Sequence, residues 1–256
     1  MADGRHASRG PLARAHAHAG RLVLRLFVPS TQAAGGRVRI TGSELRHLRT
    51  LRLRPGDVLA VFDEQGAEHE VRLECLSGRE ASGSIVTTTR PAREPRVALV
   101  LAPALLKAAK MDLVVEKATE IGAARIAPVR SRYTIGAGHP ERWQRIALAA
   151  AKQSGRTAVP AVDPPVPLAD LVRQPWPGVR LICWEGERSA RLSTLPPRAE
   201  AAIVVVGPEG GFAKDEVDDA RAHGFTVVGL APRILRAETA TLVAVTLCLH
   251  RWADLG

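Results

Sequence analysis

The sequence predicts an α/β protein in two parts: a small β-rich barrel, then a larger domain built on an open parallel sheet. Three observations predict it. Between about residues 21 and 92 the apolar residues come in short β-like runs separated by turn signals. From residue 96 onward compact apolar runs alternate with amphipathic stretches, the pattern of a parallel sheet covered on both faces. Between these textures, RPAREPR (residues 90–96) punctuates the chain with proline and charge.

The elements follow in chain order. Residues 1–20 hold Ala, Gly, His and Arg without apolar periodicity and read as a disordered tail, with His16 and His18 solvated rather than metal-bound. The barrel spans residues 21–92. Within it DVLAVFD, HEVRLECL and SGSIVTTT read as strands, separated by DEQG and SGRE. One short helix, SELRHLRTL, opens on Ser43 as its N-cap. The second domain, residues 93–256, takes its strands from VALVLA, RIAPV, RLICW, AAIVVV and TVVGL. Ligands of such sheets bind at the carboxyl ends of the strands, where GPEGG and APRILRAETA follow AAIVVV and TVVGL.

Composition narrows the class. The 256 residues are 46% apolar, enough for a sizeable core, and no apolar run approaches the roughly 20 residues a membrane helix needs. RLVLRLFV is interrupted by Arg21 and Arg25 and is no signal peptide. Cys75, Cys183 and Cys248 form no CxxC or paired framework, so a reduced, cytosolic protein without structural metal is expected. The net charge of +10 is concentrated: residues 37–54 carry +5, residues 125–156 carry +6, and the remainder sums to −1. Clustered positive charge is what a phosphate backbone requires, so a nucleic-acid partner is expected. Arginine accounts for 31 of the 36 basic residues, a bias that explains Arg over Lys but not the clustering.

The glycine loop is unusual. No GxGxxG follows a strand, and GxxxxGK[ST] and GxSxG are absent. GPEGG carries Glu209 at its centre, which disfavours a polyphosphate and suits a neutral or cationic ligand; S-adenosylmethionine, with its sulfonium, fits. Glu209 as a simple cap for the helix near Ala213 is the bland alternative.

IVVVGPEGGFAKDEV and VVGLAPRILRAETATLVAV resemble the C-terminal signature of the RsmE family, the bacterial 16S rRNA uridine-N3 methyltransferases of the SPOUT superfamily. The resemblance extends through KMDLVVEKATEIGAARIAPV, RWQRIALAAAKQSGRTAVP, RLFVP and HLRTLRLRPGD, covering nearly everything from residue 21. It implies an N-terminal PUA-like β-barrel and a C-terminal trefoil-knotted methyltransferase domain. It also implies a homodimer, S-adenosylmethionine as methyl donor and 16S rRNA of the small ribosomal subunit as partner. Carried over by motif, Gly207, Pro208, Glu209, Gly210 and Gly211 form one cofactor loop. Leu230, Arg233, Ile234, Leu235 and Arg236 form the knot loop. Cys183, Trp184, Glu185 and Gly186, in the less specific CWEGE, complete the pocket. Thr239 and Thr241 are expected to cap the final helix. Two segments depart from the family: Lys152 stands where an acid is usual, and RSRY (130–133) matches loosely.

Methylating N3 of uridine requires loss of an imide proton and in-line attack on a sulfonium methyl. Arg236 is the expected cation for the developing imidate, with Glu209 and Glu238 as proton acceptors. An internal salt bridge from Arg236 to either glutamate is the competing role. Arg25, Arg46, Arg49, Arg52, Arg142, Arg145, Lys152 and Arg156 are expected to contact RNA, the last four as one helical stripe. Lys107, Lys110 and Lys117 form another stripe that reads equally as an RNA contact or a solvated face. Two further readings stay open: a related enzyme acting on another RNA atom, such as a ribose 2′-hydroxyl, and a non-catalytic ribosome-assembly factor.

Overall fold

The computed structural model describes residues 24–51, 53–252 and 255. The expected tail and Arg52 lie outside the described residues.

The N-terminal sheet forms from β1 (Arg25–Phe27), β2 (Ala33–Ala34), β3 (Arg37–Ile40), β4 (Val58–Phe62), β5 (Glu68–Leu76) and β6 (Ala81–Thr89). Its order is β1-β4-β5-β6-β3-β2, antiparallel except where β1 runs parallel to β4. Register shifts at Glu70/Val71 and Leu73/Cys75 bend the long β5–β6 pair, as bulges do. The result is a half-barrel around Leu26, Ile40, Leu59, Val61, Val71 and Leu73. Helix α1 (Gly42–Thr50) closes it with Leu45 and Leu48. Thr41, not Ser43, occupies the cap position of α1; Ser43 sits inside the first turn.

The second sheet is all parallel. Its strands are β7 (Ala98–Pro103), β8 (Arg125–Ile126), β10 (Ala161–Val162), β12 (Val179–Cys183), β13 (Ala201–Val206) and β14 (Thr226–Val228), ordered β10-β8-β7-β13-β12-β14. RIAPV splits at its proline: after β8 the chain leaves the ladder, and β9 (Val129–Arg130) pairs instead with β11 (Val166–Pro167). Strand β13 displays the expected two-sided burial. Ala202, Val204 and Val206 face one core, with helices α2 (Ala108–Ile121), α3 (Pro140–Ser154) and α6 (Ala237–Trp252). Ile203 and Val205 face the other, with α4 (Leu168–Val172) and α5 (Lys214–Ala222). After the edge strand β14 the chain returns to the sheet centre, where α6 packs on β7, β13 and α2. This strand order and return agree with the knotted α/β fold that the resemblance implies.

Basic residues tie the two parts together. Arg25 Nη2 pairs with Glu68 at 2.7 Å and donates to the Arg156 carbonyl, while its Nη1 faces the carbonyls of Ala151 and Lys152 at the end of α3. Arg93 joins Glu68 to the Gly155 carbonyl. Lys152 pairs with Glu44 of α1 at 2.8 Å, both side chains largely buried. Arg156, only 5% exposed, pairs with Glu94 at 2.6 Å. Its Nη1 also donates to the carbonyls of Thr119 and Ala123, supplying donors where α2 ends and carbonyls lack partners.

Candidate active site

Strand β12 is hydrogen-bonded to both β13 and β14, so the three carboxyl ends lie side by side. The segments leaving them converge on one open cavity of about 240 Å³. Strand β12 contributes Cys183, Trp184 and Glu185; β13 leads to Gly207, Pro208, Glu209, Gly210 and Gly211; β14 leads to Leu230, Arg233, Ile234 and Leu235. Twelve of the fourteen expected cofactor residues therefore line one space. Gly186 does not; the Trp184 indole packs against it where a side chain would project. Arg236 does not line it either; its carbonyl accepts the Ala240 amide and so opens α6. The walls also include Val206, Ala231, Ala237 and Ala240, which the sequence reading missed. The one available signal was the i, i+3 pair of alanines on α6.

Local hydrogen bonds set each loop. Glu187 accepts from the Ser189 hydroxyl at 2.7 Å and from the amides of Ala190 and Ser189, which hold its carboxyl down at about 2. Gly229 donates to the Ala190 carbonyl, tying this turn to the exit of β14. Gly211 has φ +70°, and a Cβ there would collide with the Glu185 carboxylate. A Cβ on Gly210 would stand 2.8 Å from Cβ of Tyr133. The glycine loop is therefore held between Glu185 and Tyr133, and the loosely matching RSRY segment supplies one of its two walls. Glu209 caps nothing: Glu216 accepts from the amide of Ala213, the cap residue of α5. Thr239 and Thr241 are not caps either, since α6 begins at Ala237 and the Thr241 hydroxyl donates back to the Ala237 carbonyl.

The ionisable groups separate into inert and poised. Burial pushes the Cys183 thiol far up, so it stays protonated and serves as apolar wall. Lys110 reaches both candidate proton acceptors, Glu209 at 3.0 Å and Glu238 at 3.2 Å. Glu238 is held below the usual carboxylate range by its own backbone amide first, then by Lys110 and the charge of Arg236, against the opposing effect of burial. Arg236 is exposed and joins neither glutamate in an ion pair among the described residues, so the competing salt-bridge role is not formed.

The basic residues expected on RNA divide. Arg46 and Arg49 are exposed on α1, and Arg145 is exposed on α3. Arg142 is exposed too, but paired with Asp112. Arg25, Lys152 and Arg156 are corrected: all three side chains are largely buried where the two parts meet, ion-paired with Glu68, Glu44 and Glu94. The helical stripe fails at its last member because Gly155, left-handed, ends α3 and turns Arg156 inward. Lys117 pairs with Glu116 and Glu120 on its own helix. Among the described residues no three potential metal ligands cluster, and no helix is long and apolar enough to cross a membrane.

A parallel sheet whose three strand-end segments enclose one cavity defines a class, and residues 93–249 match the family model of the RNA methyltransferase domain. Named relatives narrow it. The ribosomal RNA small subunit methyltransferase E of Mesomycoplasma hyopneumoniae (strain 232) is 32% identical, covering 82% of this chain and 92% of its own length. The protein of that name from Mycobacterium bovis is 30% identical, covering 90% and 94%. The crystal structure of a ribosomal RNA small subunit methyltransferase E from Neisseria gonorrhoeae, bound to S-adenosyl methionine, aligns with a TM-score of 0.86. It is 31% identical and covers 91% of this chain and 100% of that one. This chain belongs to the ribosomal RNA small subunit methyltransferase E family.

Proposed function

We propose that this chain methylates N3 of a uridine in 16S rRNA, with S-adenosylmethionine as donor, and works as a homodimer in the cytoplasm. The observation that carries the reading is the convergence of three strand-end segments on one cavity, in a chain of this family. The cavity suits the donor. Leu230, Ala231, Leu235 and protonated Cys183 offer apolar walls, and the Gly210–Gly211 backbone is approachable. Glu209 stands on the wall for a cationic group. When bound, S-adenosylmethionine supplies an electrophilic methyl on its sulfonium.

The protein's own part is to bind, orient and handle a proton. Arg236, exposed beside the cavity, stabilises the negative charge that grows on the uracil as N3 loses its proton. Glu238 is a weak acceptor for that proton, being held ionised, which favours Glu209 or a water molecule. The barrel presents Arg46 and Arg49 to the RNA backbone. A homodimer is supported by apolar surface left on one copy: Leu242, Val243 and Leu247 of α6 stay half-buried and Leu113 of α2 is exposed.

Mass-spectrometric mapping of 16S rRNA from a strain lacking the gene should show one N3-methyluridine lost; an unchanged map refutes the reading. Arg236→Ala should lower single-turnover methylation by about 10²- to 10³-fold, the typical cost of removing one transition-state donor. Its RNA affinity should be nearly preserved. Methylation at the wild-type rate would reduce Arg236 to shaping its loop.

A further inference from the structure

Lys110 reaches the cofactor pocket from an element that contributes nothing else to its acidic rim. Its ammonium, carried on α2, lies 3.0 Å from Glu209 on the loop after β13 and 3.2 Å from Glu238 in the first turn of α6. Glu209 lines the cavity, and Glu238 follows Ala237, which does too. The Oε2 atom of Glu238 is buried with no well-aligned hydrogen bond, so the nearby ammonium is its compensation.

The charges around this rim can be counted. Around the cavity stand the carboxylates of Glu185, Glu209 and Glu238 and the cations of Lys110, Arg233 and Arg236; of these cations only Lys110 is ion-paired with Glu209 and Glu238 among the described residues. A sulfonium donor brings one positive charge on sulfur; the thioether left after methyl transfer brings none. Donor and product have nearly the same shape, so the rim's charge is a natural means of telling them apart. We propose that Lys110 is a specificity-determining residue: by neutralising one of the two carboxylates it sets how strongly the pocket prefers a sulfonium donor to its neutral thioether product.

This inference rests on the cofactor reading above. Without Lys110 the rim would be more negative by one unit, and the preference for the donor would grow. With Glu238 neutralised instead, the rim would be less negative by one unit and the preference would shrink. One unit charge at a partly solvated site changes an affinity ratio by about three- to tenfold.

The test is calorimetric titration of the full chain at about pH 8, with S-adenosylmethionine and with S-adenosylhomocysteine. The proteins are wild type, K110M, K110R, E238Q and K110M/E238Q. The ratio of the two affinities should rise about three- to tenfold in K110M and fall by a similar factor in E238Q. In K110R and in the double variant, which restores the wild-type charge, it should return close to the wild-type value. A ratio that stays constant across all five proteins overturns the proposal, as does equal weakening of both ligands in K110M, which would make Lys110 a brace for the loop. Should K110M fail to fold, the fall in E238Q still decides. Wild-type protein that binds neither ligand would instead overturn the cofactor reading itself.

Discussion

The outer face of α1 and the end of α3 are equally basic in sequence and opposite in space. Arg46 and Arg49 stand in solvent without an ion pair among the described residues. Lys152 and Arg156, with Arg25 from the barrel, are drawn into a seam of carboxylates and helix-end carbonyls. A cluster of positive charge in sequence therefore does not say whether its partner is another molecule or the protein itself. The difference lies in where the acids fall in the fold. Along the chain Glu68 is 43 positions from Arg25, Glu94 is 62 from Arg156, and Glu44 is 108 from Lys152.

The two regions should respond differently to mutation. Arg156→Ala removes the ion partner of Glu94 and the side-chain donor of the Thr119 and Ala123 carbonyls at the end of α2, and should cost about 3 kcal/mol, the scale of a broken buried pair. A urea midpoint shift with unchanged slope would check it; a loss below about 0.5 kcal/mol would put Arg156 with ordinary surface residues. Glu94 sharpens the point. Burial alone would raise its carboxyl, but the Arg156 guanidinium and the amides of Ala158 and Thr157 hold it below its ordinary 4.5. A depressed carboxyl stabilises the fold above the unfolded value and loses that contribution as pH falls through the folded value. Wild-type stability should therefore decline below about pH 4.5, and Arg156→Ala should flatten that decline.

Lys152→Glu would set two carboxylates against each other in a mostly buried site, and should cost about 1–2 kcal/mol. Glu44→Lys combined with it should recover most of the loss, and a double variant as unstable as the single would show that the pair is not coupled. The smallest change in stability is expected at Arg46→Ala with Arg49→Ala, within about 0.5 kcal/mol. There the effect should appear in RNA binding instead, flattening the salt dependence by about 0.7–0.9 for each phosphate no longer neutralised. An unaltered salt slope would make α1 a solvated face, and the comparison with the seam would lose its functional meaning.

The cavity was far more legible than the seam. Glycines after a buried strand and a loop after the next strand mark positions on one edge of a parallel sheet, and residues 183–185, 207–211, 230–231 and 233–235 meet there. The apolar runs of β7, β12, β13 and β14 were equally plain, since strands buried on both faces are mostly apolar. What stayed hidden depends on long-range geometry. Strands β10 and β11 are two residues each and exist only through their partners. Tyr133 meets Gly210 across 77 positions of sequence, and Lys110 meets Glu209 across 99. No local spacing encodes such meetings.

Helix α2 is 14 residues long, a rod of about 21 Å. Its first turn carries Lys110, fastened to Glu209 and Glu238, and its last turn is gripped by Arg156, whose carbonyl in turn accepts from Arg25 of the barrel. A rod pinned at both ends transmits displacement along its axis. The barrel cannot pull on that seam without loading the acidic rim, unless the helix bends or an ion pair breaks.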